Sequence, residues 1–415
     1  MTALTTSAAR HGGRRSWRRW APAAASGWAW FLVVLGIFWS SGGAGYPFGR
    51  NDRTGPDYSS LLAGLERAAG GPLITAFGVA ALVVAGRLDG RDRRPTRRRA
   101  GIVGGVGVAA VIVCVVLDGR MIIMLPPLGI LPIGWLRADW PTLFQVVAAA
   151  GAALFLLASI AYADATSDSD PHGLRRRRAA WIRAGRIATY VAIACPLPYA
   201  LIRLAWSRGW AVGAPEPFVV SLLRNQPENV YIEPTLASFA IAGAVLTAGL
   251  LCRWGRVFPR WIPVLRGRVV PMWVPLLLGG SAVLGIFGFG RGLLLGQLGV
   301  HLPGQLDTFQ LWGEPVNDWA YWGAGGLGWC LFPLWSISLA VALTGYYHRY
   351  APRARETPSA EDVDREVTSG GGAGRDAGSA PTTRAARTAG SACVASRIRT
   401  ACGSWRLRAS ECSSQ

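Results

Sequence analysis

Residues 140–162 read WPTLFQVVAAAGAALFLLASIAY, 23 consecutive positions without a charged side chain. A helical residue advances about 1.5 Å, so this run reaches about 35 Å and can cross a hydrocarbon core roughly 30 Å thick. It is apolar on every side, which fits a helix surrounded by lipid and other helices better than one facing water. Seven further runs of similar character flank it: Ala21–Ser41, Gly70–Gly86, Gly101–Leu117, Ile187–Arg203, Pro234–Cys252, Pro271–Gly290 and Ala320–Tyr347. The expected fold is all-α, a polytopic membrane helix bundle with eight transmembrane helices.

Composition agrees. The 415 residues are 51% hydrophobic and only 16% charged, against roughly 25% charged in soluble domains. All 43 basic residues are Arg, so chemistry that needs a Walker-A or Schiff-base lysine is excluded. The formal charge of +20 is carried by short arginine runs between apolar stretches, not by a basic soluble face with interleaved aromatics. That argues for a lipid bilayer as partner and against nucleic acid. Protein partners have no sequence signature here.

The arginines orient the spans, because short arginine-rich loops stay in the cytoplasm. Segments 1–20, 87–100, 163–186 and 253–268 hold 23 Arg and 5 acidic residues, whereas 42–69, 118–139, 206–233 and 291–319 hold 8 Arg and 11 acidic residues. Both termini are expected in the cytoplasm of a plasma-membrane protein, with Arg97–Arg99 and Arg175–Arg178 anchored beside anionic lipid headgroups. Arg14-Arg15 and Arg18-Arg19 before an apolar stretch also fit a signal peptide, which would leave seven spans.

An internal duplication argues for keeping the first span. Trp39-Ser40 answers to Trp206-Ser207, Arg87 to Arg253, Gly119-Arg120 to Gly290-Arg291 and Asp139-Trp140 to Asp318-Trp319, in the same order. Since each unit has an even number of spans, a 4+4 parallel repeat about an axis along the membrane normal is expected. The chain then divides into a basic N-terminus (1–20), repeat 1 (21–162), a basic linker (163–186), repeat 2 (187–348) and a tail (349–415). The tail, rich in Gly, Ser, Ala, Thr and Arg without periodicity, is expected to be disordered.

No catalytic, metal or cofactor site is legible. His11, His172, His301 and His348 are far apart, no Cys-x-x-Cys occurs among the seven cysteines, and H-E-x-x-H and G-x-S-x-G are missing. The cysteines read as unpaired thiols. Gly323–Gly328 matches G-x-G-x-x-G but opens an apolar span, where small residues serve close helix approach, as do Gly101, Gly105, Gly288, Gly292 and Gly296.

The sharper candidates are ionisable residues at the outer boundary: Asp118, Arg120, Arg203 and Arg291, with Asp139, Glu233 and Asp318 as carboxylates to pair with them. Charges at such depth need partners, water or a route to the interface, so they define a candidate ligand site. Guanidinium groups there could hold a carboxylate or phosphate bidentately. The structural reading is that these arginines snorkel and that Asp118 and Arg120 form a local pair. Pro196 and Pro198 interrupting span 5, and the proline-containing apolar segment 121–136, are compatible with a cavity.

Three segments carry a resemblance: PLPYALIRLAW at 196–206, GRVFPRWIPVL at 255–265 and FWSSGGAGYPFG at 38–49. With the lysine-free, Arg- and Ala-rich composition, they resemble uncharacterised multi-pass membrane proteins of actinobacteria. The resemblance spans residues 25 to 350 and carries over no catalytic or binding residue. The functional expectation is handling or transport of a small molecule or lipid through an outward polar site. The alternative is a non-catalytic component acting through protein partners.

Overall fold

The computed structural model describes residues 9–55, 58–90, 94–122, 139–166, 171–225, 227–258, 266–300 and 321–350. The fold is all-α. Its helices are α1 (Ala9–Ser40), α2 (Arg67–Asp89), α3 (Pro95–Val111), α4 (Trp140–Ala165), α5 (Pro171–Ala194), α6 (Pro196–Trp206), α7 (Glu216–Asn225), α8 (Asn229–Ala248), α9 (Trp273–Gln297) and α10 (Phe332–Tyr350). A π-helical turn, Ile112–Val116, continues α3, and a second, Tyr321–Trp329, precedes α10. The only β pairing among the described residues is a single bridge between Val257 and Val269.

Among the described residues, eight segments are long and apolar enough to cross a membrane: Trp17–Ser40, Arg67–Asp89, Pro95–Val116, Trp140–Ala165, Arg175–Trp206, Asn229–Ala248, Trp273–Gln297 and Gly326–Tyr350. They coincide with the eight runs read from the sequence, with one difference of extent. The fifth helix begins at Pro171 and carries the Arg175–Arg178 run in its first turns, where a linker was expected. Arginine is a good helix former, so hydration of its head group does not interrupt the backbone. The same span is broken chemically at Cys195, after which the helix resumes with Pro196 at its first position. Pro196 and Pro198 lack N–H groups, which removes two bonds from the helical ladder. Cys195 nevertheless keeps helical dihedrals.

Among the described residues, two large apolar cores form, one centred in each half of the chain, with a small third cluster of Ala200, Ala237 and Ala240 between α6 and α8. The first joins Trp28, Trp39, Tyr46, Phe48, Phe144 and Phe155 from α1, α4 and the loop after α1; the second joins Trp206, Trp329, Phe332, Trp335 and Tyr346. Within the first half, α1 packs on α2 and on α4, and α3 packs on α4. Within the second, the α5–α6 span packs on α8 and on α10, and α9 packs on α10.

Small residues set these distances. A Cβ on Gly151 would enter the Trp28 indole, and one on Gly185 would lie 2.6 Å from the Cα of Gly345, so α5 and α10 touch backbone to backbone. Gly101 and Gly105 likewise face Tyr162 and Ser159 of α4, and Gly288 and Gly292 face Asp118 and Ser59. The described cysteines, Cys114, Cys195, Cys252 and Cys330, are free thiols. Cys393, Cys402, Cys412 and the tail from residue 351 lie outside the described residues, as do Asp318, His301 and segment 123–138.

Candidate functional site

Where α3 runs out through its π-helical turn, Leu117 turns the backbone to an extended conformation and a 3-10 turn, Gly119–Ile122, follows. This places Asp118 and Arg120 side by side inside the protein, at 0% and 1% exposure. The Arg120 guanidinium is a fork between two carboxylates. Nε reaches both oxygens of Asp118 at 3.1 Å, while Nη1 and Nη2 reach Oδ1 and Oδ2 of Asp52 at 2.8 Å each. Nη2 also donates to Asp118, and the Arg120 backbone N–H bonds Asp118 Oδ1 at 2.9 Å. Gln145, pointing inward from α4, accepts the Asp118 N–H through Oε1 at 3.1 Å.

Burial lowers the tendency of Arg120 to hold its proton, but the hydrogen bonds and charges of Asp118 and Asp52 outweigh it and the pKa rises. Burial pushes the Asp52 carboxyl above the usual range, and the bonds and charge of Arg120 only partly oppose this.

Asp139 has a different task. It is the N-cap of α4, accepting Thr142 N at 2.9 Å through Oδ1, while Oδ2 accepts the Thr54 hydroxyl at 2.8 Å. Partial burial would raise its pKa, but the bonds from Thr142 and Thr54 and the nearby Arg120 charge bring the net shift below the usual value. Asp139 therefore ties the start of α4 to the loop after α1, the same loop that Asp52 ties to Arg120.

Arg291 arrives from α9. Its Nη1 donates to the Cys114 carbonyl and Nη2 to the Ser59 carbonyl at 3.4 Å, with Asp118 within electrostatic reach. Such an approach requires glycine. A Cβ on Gly288 would meet the Asp118 carbonyl at 2.5 Å, and one on Gly119 would meet the Phe289 ring at 2.9 Å. Ser59 itself adopts φ +57°, the one positive φ of a non-glycine among the described residues. Arg291 Nε, Gln145 Nε2, Ser59 Oγ and Ser60 Oγ are all buried without a hydrogen-bond partner among the described residues.

Arg203 is elsewhere. On α6, its Nη1 bonds both oxygens of Glu233 on α8, at 3.0 and 2.9 Å, and its guanidinium lies over the rings of Tyr199 (4.9 Å) and Trp206 (5.3 Å). The structure thus joins Asp118, Arg120 and Arg291, places Asp139 at their edge, and gives Arg203 and Glu233 a pair of their own. Asp318 lies outside the described residues.

Asp52, Ser59, Ser60 and Gln145 were not among the sequence candidates. Gln145 carried a readable signal, as the sole amide side chain within 140–162. Asp52 carried none, being one acidic residue in an ordinary loop. No protein-family model, no curated protein and no solved structure matches the chain. Fold and composition define its class, a multi-pass membrane protein with eight apolar helices.

Proposed function

We propose that the protein resides in the plasma membrane with both termini cytoplasmic and handles a small molecule or lipid bearing a phosphate or carboxylate at its outward face. The observation that carries this reading is the set of buried groups without partners around Arg291: its Nε, Gln145 Nε2 and the Ser59 and Ser60 hydroxyls. Leaving such a group dry and unbonded costs about 1–3 kcal/mol each, so the set favours an occupant rich in acceptors. Ser59 adds backbone strain at the same place, a feature that gathers at ligand clamps. On the opposite face, Arg97–Arg99 and Arg175–Arg178 serve as anchors at anionic headgroups.

The proposal includes a 4+4 parallel repeat. Four observations support it. The indole of Trp39 bonds the Ala44 carbonyl at 3.2 Å, and that of Trp206 bonds the Val212 carbonyl at 3.0 Å, so both mark a helix end in the same way. Each half has its own apolar core. First packs on second and fourth, and third on fourth, in both halves. Gly119-Arg120 and Gly290-Arg291, matching positions in the two halves, adjoin one another, as segments beside a two-fold axis must.

A second reading, a non-catalytic component acting through protein partners, draws support from Arg120 and Arg203, whose charges are answered by carboxylates of this same chain. The test is thermal unfolding of the protein in lipid nanodiscs against a panel of phosphate- and carboxylate-bearing solutes. Stabilisation by a panel member that is lost in Ser59→Ala and Ser60→Ala, which remove only unpartnered hydroxyls and so retain the basal midpoints, supports the ligand reading. No shift with any member, together with a stoichiometric protein co-purifying from native membranes, favours the second.

A further inference from the structure

Away from the Arg291 junction, the loop after α1 builds a second feature at the same end of the bundle. A cavity of about 400 Å³ lies between the turn at residues 43–46, Asn51, Arg67 and Trp140. Gly42 and Gly45 have φ of +95° and +77°, so the tight turn depends on glycine.

The carbonyls of this turn are all taken by fixed donors. Arg67 Nη1 holds those of Gly42 (3.1 Å) and Gly43 (3.5 Å), Trp39 that of Ala44, Trp140 that of Gly45, and Asn51 that of Tyr46 at 3.1 Å. By contrast, the N–H groups of Ala44, Gly45 and Tyr46 have no partner among the described residues. No acidic side chain lines the cavity among the described residues, and the adjacent Glu66 is bonded to Arg50 at 3.2 Å. Consecutive backbone N–H groups with a guanidinium and no nearby free carboxylate form a setting for an anion.

The rim is apolar. Phe38, whose ring packs against Gly43, and Trp140 are each about half exposed, and Phe31, Val34 and Ile37 continue the exposed apolar stripe of α1. On a membrane-spanning helix this stripe faces acyl chains, and Trp140 has the position of an interfacial aromatic anchor. Charge and apolar surface therefore sit where the two ends of an amphiphile would lie.

We infer that this cavity binds the phosphate of an anionic glycerophospholipid through Arg67 and the 44–46 N–H groups, with the acyl chains along the Phe31, Val34, Phe38 stripe. The site is separate from that proposed around Arg291 and stands or falls independently of it. The test is native mass spectrometry of the full chain purified with phosphatidylglycerol or phosphatidylcholine, with glycerol phosphate as soluble competitor.

Retention of phosphatidylglycerol over phosphatidylcholine is expected, weakened about tenfold in Arg67→Gln because a charge-assisted bond is lost. Arg208→Gln, an exposed arginine outside the cavity lining, should leave retention unchanged, and Phe38→Ser, which keeps Arg67, should reduce it. Equal retention of both lipids, or unchanged retention in both Arg67→Gln and Phe38→Ser, overturns the inference. Displacement by glycerol phosphate at concentrations matching the lipid overturns the lipid as ligand and assigns the cavity to a free phosphate.

Discussion

Arg120 and Asp52, 68 residues apart, meet as a buried fork of two 2.8 Å hydrogen bonds, with side-chain exposures of 1% and 0%. Asp52 belongs to the loop after α1, so this pair pulls that loop into the bundle. Asp139, through Thr54, holds the same loop from the side of α4. The surface that carries the cavity at Arg67 thus rests on an ionic base.

Removing the cation alone should be severe. Arg120→Met strands two buried carboxylates and is expected to destabilise the fold by about 3–5 kcal/mol. Combining it with Asp52→Leu and Asp118→Asn should recover most of that loss, since the uncharged replacements leave no buried charge. Denaturant unfolding in mixed micelles reads both. An undiminished loss in the triple variant would contradict the pairing.

Two carboxylates should give opposite pH signatures. The folded pKa of Asp139 lies below its usual 3.8, so its contribution is present above that pH and lost as pH falls through the folded value. Asp52 is raised from 3.8, so its contribution is present below that pH and lost as pH rises through the raised value. On acidification, the stability gap between the parent protein and Asp139→Asn should shrink, while the gap to Asp52→Asn should widen in favour of the parent. Unfolding midpoints across an acid series measure both slopes.

The α5–α10 contact predicts a contrast among glycines. Gly185→Leu and Gly345→Leu place side chains where backbones already touch and should prevent the second half from packing, read as aggregation on size exclusion. Gly107→Ala and Gly280→Ala meet nothing within 4 Å and should be neutral or stabilising by up to about 1 kcal/mol.

Hydrophobic length is one-dimensional information, which is why all eight spans could be read from residues 21 to 347. Helix extent was less legible at Arg175–Arg178, where charge and helix coexist. At the site, the Asp118–Arg120 pair is local and so was visible. Asp52 was not, because pairing across 68 residues depends on tertiary folding. Arg291 was a candidate, yet its partners, the carbonyls of Cys114 and Ser59, have no residue-type signature. Asp139 followed by Pro141 and Thr142 carried a helix-start pattern that explains its N-cap role better than ligand binding does.

The matching tryptophans should respond alike. Trp39→Phe and Trp206→Phe each remove one indole bond and keep most of the ring, so each should cost about 1 kcal/mol. Thermal unfolding of the two variants and their double should show near-additive losses, because each ring belongs to a different core. Strong coupling between them would contradict independent halves.

Orientation can be read by thiol labelling. In a chain whose native cysteines are replaced by alanine, Asn51→Cys should react with a membrane-impermeant maleimide in intact cells, and Arg99→Cys only after lysis. The reverse pattern would invert the proposed topology.

Every member of the Arg120 network, Asp52, Asp118 and Gln145 included, is encoded before residue 146, whereas Arg291 is not. At roughly 5–20 residues per second of synthesis, about 6 to 25 seconds separate the completion of α4 from the emergence of Arg291. The first four helices can therefore set before the last four exist. Ribosomal timing makes them the mould into which the later half is cast, and a chain halted between the halves should survive quality control better than one begun at the second.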